Sequence, residues 1–192
     1  MTENMFKDWS LFEREFEKDN CGMGFTANLN GIKSNKTIMD GIMILKGLEH
    51  RGASGYDENT GDGAGLLFEI PDEFFRKEIS NLPEYGDYGV GNIFFPKEEE
   101  KIKEIKEHFS RITAEENEIL LAWRHVPIDI DKIGTEAVNS LPHIEQVFIK
   151  RNSSEKKEFE KKLYIIRKKL EKAVKNSVNK TDGFYITKLS SR

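Results

Sequence analysis

The sequence predicts an α+β domain, and three observations carry that expectation. Apolar residues recur at helical spacing in several separate segments. Short runs of aromatic and branched residues, bounded by turn residues, lie between those segments. These runs mix aromatic, small and polar side chains, unlike the near-continuous Val/Ile runs of a buried parallel sheet. The alternation also suits a doubly wound α/β arrangement, and periodicity alone leaves the two open. With 192 residues the chain suffices for one domain of ordinary size.

Along the chain, Phe6, Trp9, Phe12 and Phe16 fall at roughly helical spacing among charged residues, as a short amphipathic helix or a docked leader would have them. At Asn20-Cys21 the composition changes. CGMGFTANLN reads as a strand that begins at the cysteine and ends on the Asn30-Gly31 turn. Asn35 is a candidate cap for the next helix, in which Ile38, Ile42, Leu45 and Leu48 form one face. The glycine-rich RGASGYDENTGDGAG is a loop, and LLFEI leads out of it as a strand. Pro71 with Asp72 and Glu73 marks a helix start, because acids favour the positive helix end.

Further on, GVGNIFFP, EILLAWRHVPID and QVFIK are strand candidates, and GFYIT opens a last one. KEEEKIKEIKEHFSRIT is a helix with Ile102, Ile105, Phe109 and Ile112 on one side. From Ser154 to about Asn176, Phe159, Leu163, Ile166, Leu170 and Val174 form the clearest helical stripe.

Composition narrows the function. The net charge of −4 is too mild to indicate a nucleic-acid binder. No stretch reaches the ~20 apolar residues of a membrane span. The acidic first twenty residues fit neither a secretory signal nor an organellar transit peptide, so the cytoplasm is expected. The single cysteine cannot form an intrachain disulfide. Histidines at 50, 108, 125 and 143 show no i, i+4 pair and no partner cysteine, so no metal site is expected. The lysine-rich last helix is interrupted by Glu158, Glu160 and Glu171 and reads as a solvated face. TGDGAG lacks the lysine of a phosphate loop and precedes a strand, which speaks against nucleotide binding.

Cys21 carries the sharper possibility. A lone cysteine is commonly a small buried hydrophobe, but this one stands between a polar leader and the glycine-spaced run Gly22-Met23-Gly24-Phe25. Were the leader removed, its own α-amino group would titrate near ~8 and serve as a base beside the thiol. His50-Arg51-Gly52 suits a helix C-terminus, with Gly52 as the stop. It equally suits a guanidinium at Arg51 that favours the thiolate or holds substrate.

CGMGFTANLNG, the long LEHRGASGYDENTGDGAGLLFEIPDEFF, WRHVPID, PHIEQVFI, FEKKLYIIRKKLE and FYITKLSSR together resemble the glutaminase domain of glutamate synthase large subunits. That domain is a class II glutamine amidotransferase. The resemblance covers nearly all of residues 19 to 192, and it implies an N-terminal-nucleophile hydrolase fold, an αββα sandwich of two antiparallel sheets. It implies a leader or propeptide over residues 1–20 and the N-terminal portion of the amidotransferase domain over 21–192. It places the nucleophile on Cys21, the neighbouring arginine on Arg51, and backbone positions around the substrate on Gly22 and Gly52. Asp62 and Gly63 match the motif without an assigned role.

Glutamine is then the substrate, ammonia the product passed on for glutamate synthesis, and the remaining domains or subunits of the synthase the partners. No cofactor is expected in this chain; FMN and an iron–sulfur cluster belong to other domains of such an enzyme. The family's substrate-binding arginine strand and Asn-Gly oxyanion pair lie beyond the segment that ends at Arg192. The 192 residues by themselves are therefore expected to be poorly active. The alternative is a truncated, non-catalytic interaction or assembly module of the same fold.

Overall fold

The computed structural model describes residues 22–49, 59–61, 63–152, 155–177 and 183–192. Two compact units divide the chain, Met1–Leu67 and Phe68–Arg192.

The second unit is an α+β layer built on a four-stranded antiparallel sheet in the order β2-β3-β1-β4. Its strands are β1 (Tyr88–Phe95), β2 (Ile119–His125), β3 (His143–Lys150) and β4 (Tyr185–Ser190). The central pair runs in unbroken register from Tyr88↔Lys150 to Phe95↔His143. An antiparallel sheet removes the doubly wound alternative for this unit, since that arrangement requires parallel strands. Among the described residues the α-helices, in chain order, are α1 (Asn35–Gly47), α2 (Asp72–Glu78), α3 (Glu99–Glu115), α4 (Thr135–Ser140) and α5 (Lys156–Ser177).

Strand side chains alternate between faces, and here both faces are used. Ile93 and Phe95 of β1 and Val147 and Ile149 of β3 point to the face covered by α3 and α5. There they join Ile105, Phe109 and Ile112 of α3 and Phe159, Leu163, Ile166, Leu170 and Val174 of α5 in one buried cluster. Tyr88 and Phe148 point the other way, into a smaller cluster with Ile70, Phe75 and Leu82. Phe75 meets Phe148 edge to face at 5.0 Å, the geometry that ring quadrupoles favour.

Bulges keep the edge strands in phase with these two cores. Between Leu120 and Ala122 the β2 register shifts by one. Leu120 and Trp123 therefore join the larger cluster while Leu121 and Ala122 join the smaller. A second shift opposite Gly91 to Ile93 lets both Ile186 and Leu189 of β4 reach the helix side.

The sequence-derived helices over Lys97–Thr113 and Ser154–Asn176 correspond to α3 and α5 with shifts of one or two residues. Two expected strands are corrected. Residues 22–28 of CGMGFTANLN and residues 66–70 of LLFEI form no strand. A strand exists only when its backbone is paired, and apolar alternation does not supply the neighbour. Ser34, not Asn35, caps α1, its Oγ accepting from the Thr37 amide at 3.3 Å.

Buried and half-buried charges pin the helices to the sheet. Glu118 follows the left-handed turn at Asn117 (φ 58), and its carboxylate receives Lys162 of α5 at 2.9 Å and the Asn152 amide at 2.7 Å. Glu160 of α5 accepts from both hydroxyls of Ser190 and Ser191 at 2.6 Å, which fixes the end of β4. Glu145 of β3 accepts from Lys106 of α3 and from His143, each at 2.7 Å. His143 stacks on His125, and the Lys106 ammonium lies 5.0 Å from the centroid of the Trp123 ring. Burial pushes the Glu145 and Glu160 carboxyls up. The hydrogen bonds from Lys106 and His143, and from Ser190 and Ser191, outweigh it and hold both below the usual carboxylate range. Among the described residues no helix is long and apolar enough to cross a membrane.

Two outcomes follow for stability. Leu163→Ala, which empties a fully buried position, is expected to cost about 2–5 kcal/mol in denaturant unfolding. Because the folded pKa values of Glu145 and Glu160 are depressed, their contribution is present above the unfolded value near ~4 and is lost as pH falls through the folded ones. Glu145→Gln is expected to destabilise the chain by about 1–3 kcal/mol at neutral pH. Melting curves taken down to acid pH should show a shallower pH dependence for that variant than for the parent.

Candidate functional site

The first unit is organised by α1. Ser34 starts the helix, and Leu48 closes it, its amide reaching back to Ile44 and Leu45. Ahead of it, Asn28 shapes the turn by accepting the Asn30 amide on Oδ1 at 2.9 Å and the Gly31 amide on its carbonyl at 3.0 Å. Gly31 takes φ +69, a conformation that glycine adopts without a Cβ penalty.

The run that follows Cys21 lies along one ridge of α1. A Cβ placed on Gly22 would meet Leu48 Cδ2 at 2.9 Å, and one on Gly24 would meet Ile44 Cγ2 at 2.3 Å. One on Gly41 would meet Leu66 Cδ1 at 3.0 Å and Thr26 Cγ2 at 3.9 Å. Alternate residues 22, 24 and 26 therefore step down the helix at 48, 44 and 41. The first step matches in length, since two residues of extended chain advance about 6.6 Å and four residues of helix about 6 Å; the second, over three helical residues, is shorter at about 4.5 Å. Glycines at 22, 24 and 41 bring backbone and helix together where side chains would hold them apart. Met23, Phe25 and Leu29, the odd positions, are almost wholly exposed.

Of the residues singled out from the sequence, Gly22 is placed on this ridge. Cys21, His50, Arg51, Gly52 and Asp62 lie outside the described residues, as does the leader, including Phe6, Trp9, Phe12 and Phe16. The described flanks stop at Gly22 and Glu49. Gly63 has open space around its Cα. α1 ends at Gly47 with Leu48 as its C-cap, and the expected stop at Gly52 lies outside the described residues. Leu48 was legible only as part of an apolar helix face, and Ile44 was not singled out. Glycines at i and i+2 opposite a helical i, i+4 pair are the signal for their closer role.

The remaining histidines are absorbed by structure. His108 lies on α3 beside Arg111 and Glu104, and His125 and His143 belong to the stacked pair at Glu145. Among the described residues no group of three or more His, Cys, Asp or Glu is arranged to hold a metal ion.

The profile of the class-II glutamine amidotransferases matches residues 21–192, so the chain belongs to that family. It is 44% identical over 199 residues to the glutamate synthase [NADPH] large chain of Bacillus subtilis, covering all of this chain and 13% of that protein. It is 35% identical over 195 residues to the ferredoxin-dependent glutamate synthase of Pyropia yezoensis, covering 99% of this chain and 12% of that protein. With the glutamate synthase [NADH] of Schizosaccharomyces pombe the identity is 34% over 194 residues, 95% of this chain and 9% of that one. The chain thus spans about an eighth or less of the length of these relatives.

Proposed function

We propose that this chain is the front portion of the glutaminase domain of a glutamate synthase large subunit, and that it hydrolyses glutamine through Cys21. The observation that carries the reading is the family match, which begins at Cys21 itself and runs to Arg192. The glutamate synthases above extend the same similarity over 95–100% of the chain.

In this reading residues 1–20 are removed, and Cys21 presents both a thiol and a free α-amino group. The amine takes the thiol proton, and the sulfur attacks the side-chain amide carbon of glutamine. The carbon–nitrogen bond breaks as the same proton passes to the leaving ammonia. Water then cleaves the thioester, releasing glutamate and restoring the thiol. Arg51 stands by the thiol as the cation that favours its ionised form or holds substrate, while Gly22 and Gly52 let backbone approach the substrate. Support for that grouping comes from the register on α1. Gly22, next to Cys21, lies at Leu48, and Arg51 follows Leu48 by three residues.

Ammonia then passes to a synthase site in the rest of the protein, where we place the FMN and the iron–sulfur cluster. The cytoplasm is the proposed location. We also propose the second sheet of an αββα sandwich, supported by the exposed odd-numbered side chains Met23, Phe25 and Leu29.

The test is glutaminase turnover by the full-length polypeptide. Cys21→Ala is expected to lower kcat by at least about a thousandfold, the scale of removing a nucleophile, with the fold intact by circular dichroism. Turnover that survives this change refutes the role of Cys21 and leaves the non-catalytic alternative in its place.

A further inference from the structure

We propose that Gly24 and Ile44 are positioning residues for the reaction, a backbone stop that sets how closely the run leading back to Cys21 approaches α1. The proposal rests on the reading of Cys21 as nucleophile.

The three contacts along the ridge differ in stiffness. At Gly22 the opposing atoms are Leu48 Cδ2 and Cδ1, 2.9 and 3.2 Å from an added Cβ. These are terminal methyls that a change of rotamer moves aside. At Gly41 the opposing atom is again a leucine methyl, Leu66 Cδ1. Ile44 is different. Its Cγ2 stands 2.3 Å from an added Cβ on Gly24, and its own Cβ only 3.6 Å away. Cγ2 is attached to the branched carbon of a residue inside a helix, where β-branched side chains keep essentially one χ1 rotamer. It cannot swing clear. The closest approach of the run to α1 is therefore also the least adjustable.

Gly24 lies three residue steps from Cys21, a span of roughly 10 Å of extended chain. A methyl at position 24 must move from 2.3 Å to an ordinary carbon–carbon separation of about 3.5–4.0 Å. The run must then lift from α1 by more than 1 Å, and the nucleophile lifts with it. Misplacement of about 1 Å costs up to ~100-fold in rate. Substrate held by other groups is less affected, so the loss falls on kcat rather than KM.

The experiment measures glutamine hydrolysis by the full-length polypeptide in four forms: parent, Cys21→Ala, Gly24→Ala, and Gly24→Ala with Ile44→Ala. Melting curves and the rate of thiol alkylation by iodoacetamide accompany the kinetics. Gly24→Ala is expected to lower kcat by ~10- to 100-fold with KM changed less than about threefold. Removing the Ile44 branch is expected to restore kcat to within a few-fold of the parent, with alkylation at Cys21 recovering in parallel. A Gly24→Ala chain that fails to fold, beside a double variant that folds and turns over, supports the same contact. Parental kcat in Gly24→Ala overturns the proposal, as does a double variant that folds but stays at least tenfold slow. Undiminished turnover in Cys21→Ala is a separate outcome, which removes the nucleophile reading and this proposal with it.

Discussion

Five side chains of α5, Phe159, Leu163, Ile166, Leu170 and Val174, are sealed completely against one face of the sheet, and the second unit depends on that contact. It requires β1 to lie close beneath the helix, and Gly89 allows this. A Cβ there would stand 2.6 Å from Leu163 Cδ1. It also requires that each strand keep one alternate set of its apolar residues on the helix side. The bulges in β2 and opposite β1 in β4 meet that condition at the sheet's two edges. Buried apolar area supplies the driving force, while the ion pairs at Glu118 and Glu145 fix which helix turn faces which strand.

The same physical device recurs in the first unit at smaller scale. Glycine lets an extended run approach a helix, and the helix side chain opposite decides how far. In the second unit the approach closes a core. In the first it aligns residues 22–26 with α1, and residues 22–28 form no strand. On the proposal that Cys21 is an N-terminal nucleophile, that alignment has a chemical purpose, because such a residue has no chain on one side to hold it. Contacts on the other side must do so.

Legibility in the sequence follows the range of the forces involved. α3 and α5 are long, and their i, i+3 and i+4 stripes repeat over several turns, so local pattern was enough. β1 and β3 were marked by aromatic and branched runs, whereas their order, the bulge at Leu121 and the side of the sheet taken by each residue depend on partners far along the chain. For the short α4 (Thr135–Ser140) there was too little repeat to read. The runs at 22–28 and 66–70 read as strands but form none, because alternation looks the same with or without a neighbouring strand. At the candidate site, Cys21, Arg51, Gly22 and Gly52 stood out through motif and resemblance. The counterpart of Gly24 on α1 could not, since which helix face a glycine meets is a tertiary fact.

Covalent capture by a glutamine analogue that carries a reactive diazoketone, followed by tryptic peptide mapping of the full-length polypeptide, tests the central claim most directly. If Cys21 is the processed nucleophile, the modified peptide begins at Cys21, ends at Lys33 and carries one adduct on the cysteine. An unmodified peptide that begins at Asp19, after cleavage at Lys18, would show an uncut and unreactive residue and would contradict the account.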